Sequence, residues 1–398
     1  MKTINLKPFT LVLIFMLISF LQAQTSKTTY NWYFGNQAAI TFAGGAPVAI
    51  NGTNVAASNM NVREGCASIS DDDGNLLFYA MGTTIYDSTG AVMGNGNGSG
   101  ISGNGNSTQA AVIVKVPLSS SIYYVFTVGD WTPTGTGLYY TIVDMSQIGN
   151  GTPQNPYGDI IQKNTLLDQN VREQIAAIYH ANCIDIWIVT HRGGTAISTN
   201  EYTSYLITAS GIQTTPVVSS VGMTYSGGNR YGTLKPSHNG DKLCSVLGGT
   251  SGGTTVELLD FDWNNGTVSN PITIADGGSI TSAYTADFSA NGKVLYVGAH
   301  NGTFIYQYDL SSGVQSTIQA SKTNIANGTA TKNRLQIGPD KKIYVSRDNA
   351  SYLGVINNPN SLTNSNYVEQ GVNLGSGVCR LGLPTFLLRP YYELVTDT

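Results

Sequence analysis

The arginines show the pattern most suggestive of chemistry. Five of the chain's eight arginines stand close to the start of a predicted β-strand, beside acidic, amide or phenolic side chains. A planar guanidinium binds a carboxylate or sulfate through two parallel hydrogen bonds. If these strand starts converge in the fold, they predict a site for an anionic glycan or another carboxylate-bearing ligand. The arginines are Arg63, Arg172, Arg230, Arg334 and Arg380, and their neighbours are Glu64, Gln109, Glu173, Gln174 and Tyr231.

The acidic neighbours allow a second interpretation of the same cluster. Glu64 and Glu173 each follow an arginine directly in the sequence. They could neutralise the guanidinium groups in ion pairs that serve the structure alone. Both interpretations stay open at this stage.

Catalytic and metal-binding patterns are missing from the sequence. The four histidines, His180, His191, His238 and His300, lack the spacings that place two zinc ligands together, and turn or strand-end packing accounts for them. No Gly-x-Ser-x-Gly motif stands between a strand and a helix. We therefore predict no catalytic residue and no cofactor.

One acidic turn and two tryptophans each have two interpretations. The carboxylates of Asp71, Asp72 and Asp73 could bind Ca²⁺, but no acidic residue follows as a bidentate ligand, which favours a solvated hairpin turn. Trp131 and Trp263 lie near predicted loops, where an indole ring could stack on a sugar. Anchoring of the loop is an equal alternative for both tryptophans.

A recurring turn-then-strand pattern must position these residues. Turns such as Asp73-Gly74, Asn239-Gly240 and Asn291-Gly292 each precede an apolar strand, and Asn-Gly or Asp-Gly between strands is a strong hairpin signal. The later repeats are about 50 residues long, a period typical of propeller blades with four strands each. In the fifth repeat we predict Gln315 to Gln319 as the fourth strand.

Counting the repeats predicts an all-β, seven-bladed β-propeller of four-stranded blades. Six units begin near Cys66, Gln109, Gln174, Tyr231, Thr285 and Arg334. The seventh blade is predicted to combine the N-terminal strands around Trp32 and Ala39 with a C-terminal inner strand at 380–384, which removes exposed sheet edges.

The cysteines follow from this closure. Cys66 and Cys379 lie near the starts of inner strands in neighbouring blades, so we predict a disulfide between them. Cys183 and Cys244 are predicted to be buried free thiols. No Cys-x-x-Cys pair is present, which argues against metal binding by cysteine.

Composition and the N-terminus indicate an exported protein. Lys2 and Lys7 precede an apolar run that ends at Gln22-Ala23-Gln24, the order found in a secretory signal peptide. We predict a signal peptide at 1–23, the propeller at 24–390, and a tail at 391–398 where a further region could begin. The net charge of −4 argues against a nucleic-acid binder, and no later apolar run predicts a transmembrane segment.

Several short sequence segments resemble the N-terminal propeller of large surface proteins of gliding bacteria. They include Asn31-Trp32-Tyr33-Phe34-Gly35-Asn36, Glu64-Gly65-Cys66-Ala67-Ser68 and Arg380-Leu381-Gly382-Leu383-Pro384. That family is exported by type IX secretion and often carries a gliding-motility-associated sorting domain. The resemblance implies a secreted or cell-surface protein that meets outer-membrane secretion machinery.

Two functions are open at this stage. The first is a non-catalytic module for adhesion, binding an extracellular glycan or protein through loops on a rigid scaffold. The alternative is a propeller enzyme of lactonase, lyase or glycosidase type acting at the channel mouth. Such enzymes need a metal cage or paired carboxylates, whereas the strand starts here carry more Arg and Gln than Asp or His, which favours binding.

Overall fold

A computed structural model describes most of the chain beyond the predicted signal peptide. The signal peptide, the tail at 391–398, Arg172 and Trp131 lie outside the described residues, and Asn229 and Arg230 are described for their backbone alone. The described ranges are 26–50, 59–130, 137–171, 173–193, 197–225, 229–249, 254–276, 278–300, 302–326 and 330–388.

Seven antiparallel sheets form a ring, which confirms the seven-bladed β-propeller. The first three strands belong to blade seven: β1 (Asn31–Phe34), β2 (Ala38–Thr41) and β3 (Val48–Ala49). Blade one contains β4 (Cys66–Ser70), β5 (Leu76–Met81) and β6 (Thr84–Asp87). Its outer edge is completed by a segment that bridges Tyr86 to Val92 and Thr84 to Ser99.

Blades two to four follow in chain order. Blade two contains β7 (Ala111–Lys115), β8 (Ile122–Val128), β9 (Leu138–Asp144) and β10 (Asp159–Asp168). Blade three contains β11 (Ala176–Tyr179), β12 (Ile186–His191), β13 (Thr199–Thr208), β14 (Gly211–Ile212) and β15 (Val217–Tyr225). Blade four contains β16 (Asn229–Tyr231), β17 (Leu234–Pro236), β18 (Lys242–Gly249), β19 (Thr255–Asp262) and β20 (Thr267–Ala275).

Blades five and six complete the repeats and contain one departure from the sequence prediction. Blade five contains β21 (Ala283–Phe288), β22 (Val294–Ala299), β23 (Ile305–Asp309) and β24 (Thr323–Asn324). Blade six contains β25 (Leu335–Ile337), β26 (Ile343–Val345), β27 (Tyr352–Ile356) and β28 (Tyr367–Asn373). The predicted strand at Gln315 to Gln319 is wrong, because the short helix α1 (Gln315–Ala320) forms there and β24 takes the outer place. No helix among the described residues is long and apolar enough to cross a bilayer.

The second strands of the blades are largely buried on both faces, which explains their almost continuous apolar sequence. All six residues of β12 and all six of β22 are buried, because each blade packs against a neighbour on either side. Aromatic rings bridge adjacent blades, as Phe78 of blade one meets Tyr123 of blade two with ring centroids 5.5 Å apart. Adjacent blades thus pack through separate clusters of buried apolar side chains.

Both ends of the described chain meet in blade seven. The amide of Asn36 donates to Val378 (2.8 Å) and the amide of Val378 donates back to Asn36 (2.9 Å). The main-chain amide of Leu381 donates to the carbonyl oxygen of Arg63 in blade one (2.9 Å), and its carbonyl oxygen accepts from the amide of Arg334 in blade six (3.2 Å). The C-terminal segment around Leu381 is therefore the innermost strand of blade seven.

A glycine and a tryptophan secure this closure. Gly35 has φ +59, and a Cβ there would lie 2.4 Å from the Val378 carbonyl oxygen, so only glycine fits. The fully buried Trp32 ring packs at 5.2–5.7 Å from Phe42, Tyr344 and Phe386. Residues from blade six and from both chain ends therefore share one core.

None of the four cysteines, all of which the structure describes, forms a disulfide, so the predicted Cys66–Cys379 disulfide is wrong. The Sγ of Cys379 lies against the carbonyl oxygens of Arg347 (2.8 Å) and Ala350 (3.1 Å) inside blade six. Cys66 instead pairs with Met81 in its own sheet and with Pro384 across the closure. Cys244 is buried as predicted, whereas Cys183 lies in an exposed turn with φ +60, contrary to its predicted burial.

Candidate functional site

Side chains from several blades meet where the inner strands begin. The Tyr284 hydroxyl of blade five donates to Glu64 of blade one at 2.8 Å. Glu173 of blade three accepts from the amide (2.5 Å) and hydroxyl (2.8 Å) of Thr108, which precedes blade two. Arg334 of blade six donates to the carbonyl oxygen of Thr108. The structure thus brings together three of the predicted site residues, Glu64, Glu173 and Arg334.

Arg334 is buried within this cluster and holds the ring together. Its Nη2 donates to the Thr385 hydroxyl at 3.0 Å, so one side chain joins blades six and seven to the loop before blade two. No carboxylate of the described residues lies within 4.0 Å of its guanidinium, and burial lowers its pKa. Arg334 is therefore a structural cation bonded to neutral oxygens.

The two carboxyl groups of the cluster resist ionisation. Burial raises the pKa of Glu64 to about 7, although the Tyr284 hydrogen bond and the charges of Arg63 and Arg334 act in the opposite direction. Burial and the charge of Glu64 raise the pKa of Glu173 well above its ordinary value. Within the described part of the chain neither carboxylate forms an ion pair with an arginine, so the predicted neutralising ion pairs are not found there.

The remaining arginines differ in whether their guanidinium groups are exposed and free of an acidic partner. The Nε of Arg380 donates to Asp348 at 2.9 Å, so its charge is already balanced. Arg63 is exposed, and none of the described carboxylates lies within 4.0 Å of it. Arg230 lies in β16, where its backbone alone is described, and Arg172 lies outside the described residues. Arg63 is thus the described arginine that an external anion could reach.

Aromatic rings stand beside Arg63 and were not foreseen as a group. The ring of His300 lies 4.8 Å from that of Tyr231 and 5.2 Å from that of Tyr284, centroid to centroid. Burial and the nearby charge of Arg63 lower the pKa of His300, which favours the neutral imidazole. We name this set (Arg63, Glu64, Tyr231, Tyr284 and His300) the channel-mouth cluster. His300 follows β22 directly, and in the sequence only that strand-end position marked it.

A second polar network lies deeper along the inner strands. Lys235 donates to Asp287 (3.1 Å) and to Gln336 (2.6 Å), which joins blades four, five and six. Burial lowers the pKa of Lys235 to about 8. The neighbouring amides also bond across blades: Gln109 bonds the main chain of Ile175 and Leu234, and Gln174 donates to Val246. Sequence reasoning missed Lys235 and Asp287 because both read as ordinary strand residues.

Of the other predicted site residues, the structure describes Trp263 and the acidic turn. The main-chain carbonyl of Trp263 accepts a hydrogen bond from the indole of Trp187 (2.9 Å). The ring of Trp263 is half-buried and packs on Gly240, so Trp263 anchors a loop. Asp71 accepts from the amides of Asp73 (3.0 Å) and Asn75 (2.8 Å) within its own turn. Among the described residues no three His, Cys, Asp or Glu side chains converge as metal ligands, and Asp71, Asp72 and Asp73 form no such group.

Comparisons with known proteins give no family and only distant structural similarities. No protein-family model and no curated protein matches the sequence. A luciferin-regenerating enzyme is similar in structure at 12% identity, with TM-score 0.39 over 82% of this chain and 95% of that one. The periplasmic gluconolactonase of Pseudomonas aeruginosa is similar at 13% identity, with TM-score 0.40 over 70% of each chain. A functionally unknown protein from Desulfotomaculum acetoxidans gives 11% identity and TM-score 0.42 over 90% and 89%.

Proposed function

We propose that this propeller is a non-catalytic binding module, secreted or held at the cell surface, that captures an anionic group of an extracellular glycan or protein at the channel-mouth cluster. The observation that carries the proposal is the exposed Arg63 guanidinium, which has no described carboxylate within 4.0 Å. An unpaired guanidinium at a rigid rim can bind a carboxylate or sulfate through two parallel hydrogen bonds. Buried cross-blade bonds such as those of Arg334 keep the rim rigid.

The neighbours of Arg63 suit such a ligand. Tyr231 and His300 offer partly exposed ring surface, on which the apolar face of a sugar can pack. The pKa of Glu64 is raised to about 7, so near neutral pH part of the population carries a proton there and can donate to the ligand. An acidic sugar would therefore meet one cation, aromatic surface and limited negative charge.

The exported location rests on the sequence. A short basic region, an apolar run and a small residue at Ala23 form the pattern of a secretory signal. The resemblance to surface propellers of gliding bacteria supports export by type IX secretion. Adhesion is the role that fits a rigid module with a ligand site at its rim.

A specific observation also supports the enzyme alternative. Glu64 is half-buried and its pKa is raised to about 7, which suits a general acid or base at neutral pH. A propeller lactonase, lyase or glycosidase would use such a group at the channel mouth. Turnover, rather than binding, distinguishes the two functions.

Binding of uronic-acid-containing and sulfated oligosaccharides tests the proposal. We expect Arg63→Ala to weaken binding by about tenfold or more, because a charged hydrogen-bonded pair is lost. Lys293→Ala is the matched control, since this exposed lysine lies in the β21–β22 hairpin, at the other end of β21 from Tyr284.

Two results would overturn the proposal. The first is equal binding of acidic oligosaccharides by the wild type and Arg63→Ala, or no binding by either. The second is product formation from lactones or acidic polysaccharides that Glu64→Gln abolishes, which would establish the enzyme alternative.

A further inference from the structure

A groove separates the outer strands of blade five from the long loop of blade six. Its volume is about 300 Å³, at the small end of the range for ligand sites. The loop runs from 357 to 366 between β27 and β28. The lining residues are Gln307, Thr323, Ile325, Leu362, Thr363, Asn364, Ser365, Asn366 and Tyr367, which we name the blade 5–6 groove.

The chemistry of this groove differs from that of the channel mouth. Its lining contains no Asp, Glu, Lys, Arg or His, so it offers no charge to an ionic ligand. Amides, hydroxyls and three larger apolar or aromatic side chains make up the surface instead. A neutral ligand with many hydroxyl groups is therefore the chemical match.

Hydrogen-bonding groups on the rim are open to such a ligand. Thr363, Asn364 and Asn366 are exposed, and their side chains bond no other described residue. Each amide can donate and accept at once, as each hydroxyl of a sugar does. Leu362, 40% exposed, and the half-buried Ile325 provide apolar surface for the C–H face of the ring.

Blade five holds the loop in place before any ligand arrives. The Gln307 side chain, 3% exposed, donates to the Leu362 carbonyl at 2.6 Å. The Tyr296 hydroxyl donates to Pro359 (2.9 Å), and the Asn291 amide donates to the Asn360 side chain (3.2 Å). A fixed loop loses little conformational entropy on binding.

The groove also contains an unsatisfied buried acceptor. The Oε1 of Gln307 has no hydrogen-bond partner although its side chain is buried. Such an atom is costly in a folded protein unless something outside the chain bonds to it. Gln307 is one of the residues that line the groove, so this acceptor lies at the groove wall.

We propose that the blade 5–6 groove binds one or two units of a neutral saccharide. The volume, the uncharged lining, the open amides and the unsatisfied Gln307 oxygen all point to this ligand class. An extended peptide is the rival occupant, and it would have to pair with an outer strand, either β24 with its two residues or β28, which begins at Tyr367 of the groove. The site is separate from the channel-mouth cluster and does not depend on the function proposed for it.

A neutral-oligosaccharide array followed by calorimetry on the full chain tests the proposal. We expect Asn364→Ala with Asn366→Ala to weaken binding by about tenfold or more, because two donor–acceptor groups are lost. Asn106→Ala is the matched control, since this asparagine is exposed and lies outside the groove. The double variant should bind acidic oligosaccharides as the wild type does, because Asn364 and Asn366 lie outside the channel-mouth cluster, and this separates the test from that of the channel mouth.

Three outcomes would overturn the proposal. One is the absence of neutral-saccharide binding by the wild type across the array. Another is unchanged binding by the double variant while its thermal midpoint matches that of the wild type. The third is a peptide from a display library that binds the wild type and is lost in the double variant while no saccharide binds.

Discussion

The hydroxyl of Tyr284 in blade five donates a 2.8 Å hydrogen bond to Glu64 of blade one, so a single contact joins two blades that are not neighbours in the ring. Glu64 is therefore half-buried, and burial raises its pKa from 4.5 to about 7. A carboxyl group whose pKa is higher in the folded than in the unfolded state stabilises the fold when protonated.

The first prediction concerns pH. The contribution of Glu64 is fully present below about pH 4.5 and is lost as the pH rises to about 7, a difference of at most about 3 kcal/mol. Glu64→Gln keeps an uncharged side chain, so the variant should lose less stability than the wild type between pH 5 and pH 8. Urea unfolding at several pH values measures this, and parallel curves for the two proteins would contradict it. Asp73→Asn, in an exposed turn, is the control.

The second prediction concerns the buried Arg334. Replacement by Met removes the hydrogen bonds to Thr108 and Thr385 and leaves their oxygens buried without this donor. We expect a loss of about 3 kcal/mol in the free energy of unfolding. Arg334→Lys keeps the charge without the planar fork and should recover only part of the loss. Equal denaturant midpoints for Arg334→Met and the wild type would show that the cross-blade bonds do not stabilise the ring.

The third prediction concerns the closure in blade seven. Trp32→Ala removes a fully buried ring that contacts Phe42, Tyr344 and Phe386. The expected cost is about 3–5 kcal/mol, from lost burial and the cavity left behind. Val314→Ala, at a side chain that is 54% exposed, should change stability by less than about 0.5 kcal/mol. A thermal midpoint for Trp32→Ala close to that of Val314→Ala would refute the shared core.

The fourth prediction concerns thiol reactivity. Cys183 is exposed, whereas burial raises the pKa of Cys66 to about 12 and that of Cys379 to about 11. The native protein should therefore react once with a thiol reagent, and Cys183→Ser should remove that reaction. Four thiols should react after unfolding without a reductant. Two reactive thiols in the unfolded protein would mean that the other two cysteines form a disulfide, which would contradict the prediction.

The fold could be predicted because its signals are local. Gly74, Gly240 and Gly292 adopt φ of +92, +76 and +68 at the first hairpin of their blades, which a turn glycine in the sequence already indicates. The segment at Gln315 was mispredicted because it lies at the outer edge of blade five, where few neighbours decide between helix and strand.

The site could be predicted only in outline. Position along the repeat brings Glu64, Glu173 and Arg334 together, since inner strands begin around one channel. The sequence does not show which way a side chain points. It therefore could not predict that Arg334 is buried while Arg63 is exposed. The Cys66–Cys379 prediction failed for the same reason, because neighbouring blades do not imply thiols that face each other.

The closure in blade seven also determines when the ring can be completed during synthesis on the ribosome. Strands β1 and β2 are synthesised first, yet the segment that completes their sheet is the last part of the ring to be made. Until then the indole of Trp32 lacks Phe386 as a partner and stays partly open to water. Strand pairings this distant in sequence form slowly. For most of its synthesis the nascent protein therefore has an unpaired, aggregation-prone edge on β1. The ring therefore cannot close, and that edge cannot be covered, until the segment from Val378 to Phe386 has been made.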